Sequence, residues 1–421
     1  MTTRFNIRTS FNLHRCVALA LAGVAPLLLA GTFSSAQTFT VLHSFTGGAD
    51  GGSPYASLLR DAKGNLYGTA SAGGVDKGYR GFGLVFRIDS TGKFSVLYRF
   101  QGGIDGAYPT SELISDGASL YGTAKGDGYH GGYGVVYKVS SAGQTVLHAF
   151  TGGPDGSLPL SGLTIDAAGN LHGTTLNGGD PTCGNGFGCG IVFKIDSAGA
   201  ETVPYSFSDG EDGGMPASTL LRDAAGNLYG TTRWGGLSSC SLGCGTVFEV
   251  DSSGQETVVH HFSGKDGEWP DASLIQDSAG NFYGTTSFGG NLKCDPPAGC
   301  GTVFKLDPTG RFTTIHKFSG ADGLFPYAPI VADTHGNGYG TTYSGGQFGF
   351  GTVYKIDRYG QFSVLHHFTG GTDGGYPNAG LILDPAGSLY GATTLYGGNG
   401  TGQCSVNGHN LSCGTVFKLT P

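Results

Sequence analysis

After residue 37 the chain is a succession of short apolar runs, each bounded by Gly, Asp, Asn or Ser. In one stretch ASTLLRD, NLYGTT and GTVFEVD follow one another, and a run of the SVLHHF type closes the unit. These runs are rich in β-branched and aromatic residues and too short for helices, so they predict strands. DAAGN joins the first run to the second and DSSGQ joins the third to the fourth. Such Asp-x-x-Gly connections predict hairpins, with Asp accepting backbone N–H bonds and Gly taking positive φ.

The unit recurs seven times. The YGT-like element places its glycine at Gly68, Gly122, Gly173, Gly230, Gly284, Gly340 and Gly391, and a GTVF-like element follows each, starting at Gly83, Gly134, Gly190, Gly245, Gly301, Gly351 and Gly414. A repeated four-stranded antiparallel unit without a helix predicts a propeller blade. The first run, Thr38 to Phe45, has the character of a fourth strand, and the chain stops just after a third-type strand. The expected fold is therefore all-β: a seven-bladed β-propeller of four-stranded blades, with the N-terminal strand completing the last blade so that no raw sheet edge remains. Residues 37–421 are expected to form this single domain, as a monomer.

DAAGNLYGTT followed by GTVFKID and a Gly turn resembles the Gly-rich tandem repeats of the GloVer-containing "choice-of-anchor" proteins, and is more loosely similar to two-component-regulator propeller repeats. The resemblance covers all seven copies and implies no defined reaction. Family members often carry a C-terminal sorting tail, whereas here only Thr420 and Pro421 follow the last strand.

Composition fits this reading. The 421 residues include 80 Gly and 17 Pro, and 13% are charged. That much glycine excludes a helical or coiled-coil protein, its spacing excludes collagen, and 38% hydrophobic residues exclude a disordered chain. Residues 1–36 carry Arg4, Arg8 and Arg15, then an apolar run from Val17 to Ala30, then Ser34-Ser35-Ala36. This predicts a signal peptide cut after Ala36 and a secreted protein, extracellular or periplasmic, with no membrane span after cleavage; an uncleaved anchor is the alternative. Loss of the three arginines takes the formal net charge from −8 to −11, which argues against a nucleic-acid partner.

Eight cysteines remain after the leader's Cys16, in four local pairs: Cys183/Cys189, Cys240/Cys244, Cys294/Cys300 and Cys404/Cys413. Each pair lies between the second and third strands, and copies lacking it hold Phe82, Tyr133 or Phe350 before the GTVF glycine. All-or-none usage in an exported chain predicts four loop-bracing disulfides. Zinc would need four converging ligands where each copy offers two.

Much of the acidic charge is turn chemistry: one Asp per copy opens a DG-x-x-P loop (Asp50 to Asp373), and another precedes the A-G-N turn (Asp61 to Asp384). A structural role is expected for both sets, the alternative being a ring of cation-binding DG loops. His43, His148, His260, His316 and His366 share a fourth-strand position with Tyr98 and Tyr205, an exchange that a packed slot tolerates and a metal site does not. HExxH, GxSxG and P-loop patterns are absent, so no metal or cofactor is expected.

Strands of an antiparallel meander alternate in direction, so the tight turns share one face while the DG loops and cysteine-bearing loops share the other. The loop-rich face is the expected binding face. Aromatic residues expected at its mouth as a ligand-binding set are Tyr108, Trp234, Trp269, Phe288, Phe325, Tyr376 and Tyr396, suited to stacking on sugars or on a protein's apolar groups; equally, they could roof the core. Acids that break the repeat are the catalytic candidates: Glu112, read as lying in the innermost strand, with Glu268 and Asp271 flanking Trp269. Three functions stay open: a binding module for a glycan or protein, a carbohydrate-active hydrolase or lyase on the same face, and a structural envelope protein.

Overall fold

The NLYGT-type and GTVF-type runs pair as antiparallel neighbours in every copy, as in Leu228–Trp234 against Thr246–Val250. The GTVF-type strand pairs in turn with a fourth strand, here Glu256–His261, with a bulge between Val247 and Phe248. The computed structural model describes residues 37–74, 81–126, 132–236, 240, 242–397, 404–406, 409–411 and 413–420. The expected leader, 1–36, lies outside the described residues. The result is a seven-bladed β-propeller of four-stranded antiparallel sheets, with a further short strand, Ala107–Pro109 or Gly214–Pro216, against the second strand of blades 2 and 4. Thr38–Ser44 pairs with Thr415–Thr420, Phe39 opposite Leu419, so the first strand completes the last blade.

The innermost strand departs from expectation. In each blade it is two residues long, as in Leu221–Arg222 and Ile114–Ser115. The first half of each predicted run leaves the sheet and follows the axis instead. Glu112 therefore lies before the innermost strand rather than in it. Here neighbours from adjacent blades replace ladder bonds: Gly162 N–H donates to Thr219 Oγ1 (2.9 Å), Thr219 N–H to Ser273 Oγ (2.9 Å) and Gly380 N–H to Ser57 Oγ (3.0 Å).

Two glycine positions are fixed by close approach. A Cβ on Gly68 would lie 2.6 Å from the ring of Phe86, and the same holds for Gly173 and Phe193. Those rings are fully buried and form the inter-blade core; burying each contributes about 1.5–3 kcal/mol. At the GTVF start, Gly83 has φ +91°, and a Cβ there would lie 2.6 Å from Cδ of Pro109 in the next blade. Each DG-loop proline thus seats against the preceding blade's glycine.

The residue before that proline has left-handed backbone in all seven copies, from Ser53 (φ 52°) to Tyr108 (φ 58°). Left-handed backbone is costly for side chains other than Gly, and inter-blade bonding offsets it. Tyr108 N–H donates to Phe82 O (2.8 Å), Met215 N–H to Cys189 O (2.8 Å) and Trp269 N–H to Cys244 O (3.1 Å); Ser53 N–H to Cys413 O (2.8 Å) closes the ring. The acceptor is always the residue before the GTVF glycine. This gives the cysteine loops a definite task, since they hold the carbonyl that receives the next blade. Cys183–Cys189, Cys240–Cys244 and Cys294–Cys300 are disulfides with Cα–Cα distances of 5.9, 5.3 and 5.6 Å. Cys413 is also disulfide-bonded, while the side chain of Cys404 lies outside the described residues.

Repeated polar residues serve the same architecture. Asp61 accepts from the N–H groups of Lys63 and Asn65 and from the Tyr67 hydroxyl. DG-loop aspartates bond the fourth-strand slot, as in His316 Nε2 to Asp322 (2.9 Å) and Tyr98 hydroxyl to Asp105 (2.7 Å). The His316 ring also stacks on Phe362 of the next blade at 3.8 Å.

Candidate functional site

Two rings of residues, one from each blade, surround a cavity of about 520 Å³ on the axis. The first ring is the residue after each DG-loop proline: Tyr55, Thr110, Leu160, Ala217, Asp271, Tyr327 and Asn378. The second, two positions on, is Ser57, Glu112, Gly162, Thr219, Ser273, Pro329 and Gly380. Trp269, Arg233 and Tyr343 join them. Arg233 and Tyr343 leave the ends of second strands, so the cavity faces the side that carries the long loops.

One wall is charged. Arg233 Nε donates to Asp271 Oδ1 at 2.7 Å, and the Ser287 hydroxyl donates to Asp271 Oδ2 at 3.1 Å. The guanidinium lies 5.8 Å from the Trp269 ring centre. The carboxylate side chain is 9% exposed and the arginine 29%, so the pair is sheltered yet reachable from the cavity. Two hydrogen-bond donors and a ring thus hold the charges in fixed positions.

Glu112 is the other acid of the cavity. It lies across Gly162, where a Cβ would come within 2.5 Å of the glutamate Cγ, and bonds Thr219 two blades away. Burial pushes its carboxyl up from the ordinary range, against the Thr219 bond, which favours ionisation. Glu112 and Gly162 are therefore complementary: one side chain fills the space that the next blade leaves open. Of the two candidate acids flanking Trp269, Asp271 lines the cavity and Glu268 does not; the Glu268 backbone bridges to Phe288.

The expected aromatic set divides. Trp269 alone of the seven lines the cavity. Phe288 meets it edge to face at 4.9 Å, Phe325 follows at 5.0 Å, and Tyr327 at 6.2 Å returns to the cavity wall. Beyond Tyr327, the rings Tyr343, Tyr376 and Tyr396 succeed one another at 5.4, 5.0 and 5.6 Å. This arc spans blades 5 to 7, and every ring in it is half-buried. Tyr108 and Trp234 stand apart. Tyr108 packs against Phe82 at 6.3 Å, and Trp234 holds its backbone against Gly214. In all seven blades the residue after the DG-loop proline lines the cavity, whereas of the pre-proline residues only Trp269 does.

Arg233 and Tyr343 escaped the sequence reading. They share the position after YGT-T, where the other copies hold Ser71, Lys125, Leu176, Ser287 and Thr394. That variation was the available signal. Among the described residues no cluster of three His, Cys, Asp or Glu could hold a metal ion, and no helix is long and apolar enough to cross a membrane.

The fold recurs in solved structures. A streptogramin B lyase is 13% identical, with a TM-score of 0.56 over 91% of this chain and 97% of that one. Virginiamycin B lyase from Staphylococcus aureus is likewise 13% identical, at TM-score 0.57 over 91% and 99%. The extracellular domain of the putative one component system BT4673 from B. thetaiotaomicron is 10% identical, at 0.51 over 87% of this chain and 38% of that one. Such low identities establish the propeller and nothing finer. No curated protein matches the sequence. The repeat itself is more telling: the model of the Gloeobacter/Verrucomicrobia repeat matches residues 31–236 and 182–405. Most of the chain is thereby covered, and the protein belongs to the Gloeobacter/Verrucomicrobia repeat family.

Proposed function

We propose that this protein is an exported binding propeller that takes a carbohydrate on its loop-rich face, with a sugar end seated in the axial cavity. The observation that carries the reading is the combination of aromatic and fixed polar groups at the cavity. Trp269, Tyr327 and Tyr343 offer ring surfaces, while the Arg233–Asp271 pair, Ser57, Thr219 and Ser273 offer donors and acceptors suited to hydroxyls. About 520 Å³ falls within the usual range for small-ligand sites. The apolar leader and the disulfides support export.

A second reading, a carbohydrate-active hydrolase or lyase, is favoured by one observation: Glu112 and Asp271 line the same cavity in contrasting surroundings. Glu112 is pushed toward its protonated form, and Asp271 is held against a guanidinium. Two carboxyl groups in unlike surroundings within one cavity are an arrangement that general acid–base chemistry uses. The lyases of like fold act on their own substrates, and a propeller carries no activity across by itself.

Glycan-array binding with reducing-sugar release across a polysaccharide panel distinguishes the readings. Binding without turnover supports the module; turnover abolished by Glu112→Gln supports the enzyme. Failure to bind any glycan, or affinity unchanged in Trp269→Ala, contradicts the proposed site.

A further inference from the structure

The opposite face carries a second cavity, of about 280 Å³, between blades 5 and 6. Its origin is a missing side chain. Six copies bury a Leu or Phe before YGT, namely Leu66, Leu120, Leu171, Leu228, Phe282 and Leu389, all at most 8% exposed. The sixth blade has Gly338 there, and a Cβ built on it would meet nothing nearer than Ile330 Cδ1 at 3.8 Å. The vacated space is walled by Ile275, Val303, Ile315, Ile330 and Ile356.

The rim of this cavity also breaks the repeat. Arg358 stands where other copies have Ser90, Ser141, Ser197, Ser252 or Pro308. It lies on the rim with Lys305, Asp277 and Asp357. Both aspartates are occupied by their turns: Asp277 accepts from Ala279, Asn281 and Tyr283, and Asp357 from Tyr359 and Gln361. Among the described residues neither Lys305 nor Arg358 enters an ion pair; each lies by a tyrosine ring, Lys305 by Tyr283 and Arg358 by Tyr359. An apolar pocket thus opens beside two cations without carboxylate partners.

We propose that this pocket is a binding site for a compact apolar anion, a branched-chain or aromatic carboxylate whose hydrocarbon part occupies the space left by Gly338 and whose carboxylate meets Arg358 and Lys305. The volume is close to the lower end of the roughly 300–1,000 Å³ usual for ligand sites, which sets the size of the ligand. The site is independent of the axial cavity and of the carbohydrate reading.

Calorimetric titration of the purified protein with 4-methylpentanoate, phenylacetate and 3-phenylpropionate, each against its primary amide, tests the proposal. At least one acid should bind saturably and about tenfold more tightly than its amide. Gly338→Leu should abolish that binding while raising Tm, and Gly338→Ala, which fills less of the pocket, should weaken it if the leucine variant fails to fold. Arg358→Ser should weaken the acid and spare the amide. Trp269→Ala, in the axial cavity, should leave affinity for the acid the same. Absence of saturable binding, equal affinity for acid and amide, affinity unchanged by both Gly338 variants, or loss of binding in Trp269→Ala would each overturn it.

Discussion

Ala392 occupies a position that is threonine in the six other blades, and the hydroxyl it lacks has a defined use. Thr69, Thr123, Thr174, Thr231, Thr285 and Thr341 each donate to a carbonyl of the following blade, at 2.9–3.4 Å, as in Thr123 to Ser161 O. The seventh such bond would join blade 7 to blade 1, at the junction between chain ends. Ala392→Thr is predicted to stabilise the ring by about 1 kcal/mol, the usual net contribution of one buried hydrogen bond, measured by urea denaturation. At the neighbouring glycines the effect reverses. Gly284→Ala would drive a Cβ to 2.6 Å from the Phe304 ring, and overpacking of this kind costs about 1–3 kcal/mol. Unchanged stability in that variant would contradict the close-approach account of the YGT glycine.

At the scale of the blade, fourth strands differ in one informative residue. Phe94, Phe312, Phe362 and Phe39 stack on His43, His260, His316 and His366 of the preceding blade at 3.8–4.2 Å. Blades 3 and 4 place Glu201 and Glu256 at the equivalent register, opposite Ile195 and Val250. Burial, with Asp155 near one and Asp212 near the other, pushes both carboxyls up to about 7. Their folded-state values exceed the unfolded value of about 4.3, so the stability they contribute is complete below that pH and is lost as pH rises through 7. DG-loop aspartates act in the opposite sense. Burial works against Asp50 and Asp322, yet bonds from His43 and His316 hold them below the usual range, and their contribution fades as pH falls through it. Maximum Tm is therefore predicted near about pH 5. The double variant Glu201→Phe/Glu256→Phe should raise Tm at pH 8 and flatten the decline between pH 5 and 8, by about 1 kcal/mol per site after allowance for solvent screening. A decline of undiminished slope would show that other groups cause it. Each disulfide closes only a short loop, so Cys294→Ser/Cys300→Ser should cost less than the ~3 kcal/mol of a 15-residue loop, chiefly by loosening the Cys300 carbonyl that receives Phe325.

For the whole molecule, ring closure depends on Thr38–Ser44 as the outer strand of blade 7. Deleting residues 37–45 is predicted to expose the Thr415–Thr420 edge and to shift the protein toward aggregates on size-exclusion chromatography. Seven-fold repetition made this architecture legible, because YGT, GTVF and the Asp-x-x-Gly turns each report one strand or hairpin. The axial site was less so. Glu112 and Trp269 stood out by breaking the pattern, but Arg233 and Asp271 come from different copies and meet only through the inter-blade packing. The left-handed backbone before each proline leaves no mark in residue types as varied as Ser53, Leu158 and Trp269. Gly338 is plain in the aligned copies, yet its consequence depends on the walls supplied by blade 5.

Whether the axial cavity receives a sugar end is read from a crystal structure of the protein with the oligosaccharide giving the strongest array signal. Ligand density is expected on the axis, with a sugar ring against Trp269 and hydroxyls within hydrogen-bond reach of Arg233 or Asp271. Density confined to the blade edges or to the tight-turn face, with the axial cavity holding solvent alone, would contradict it.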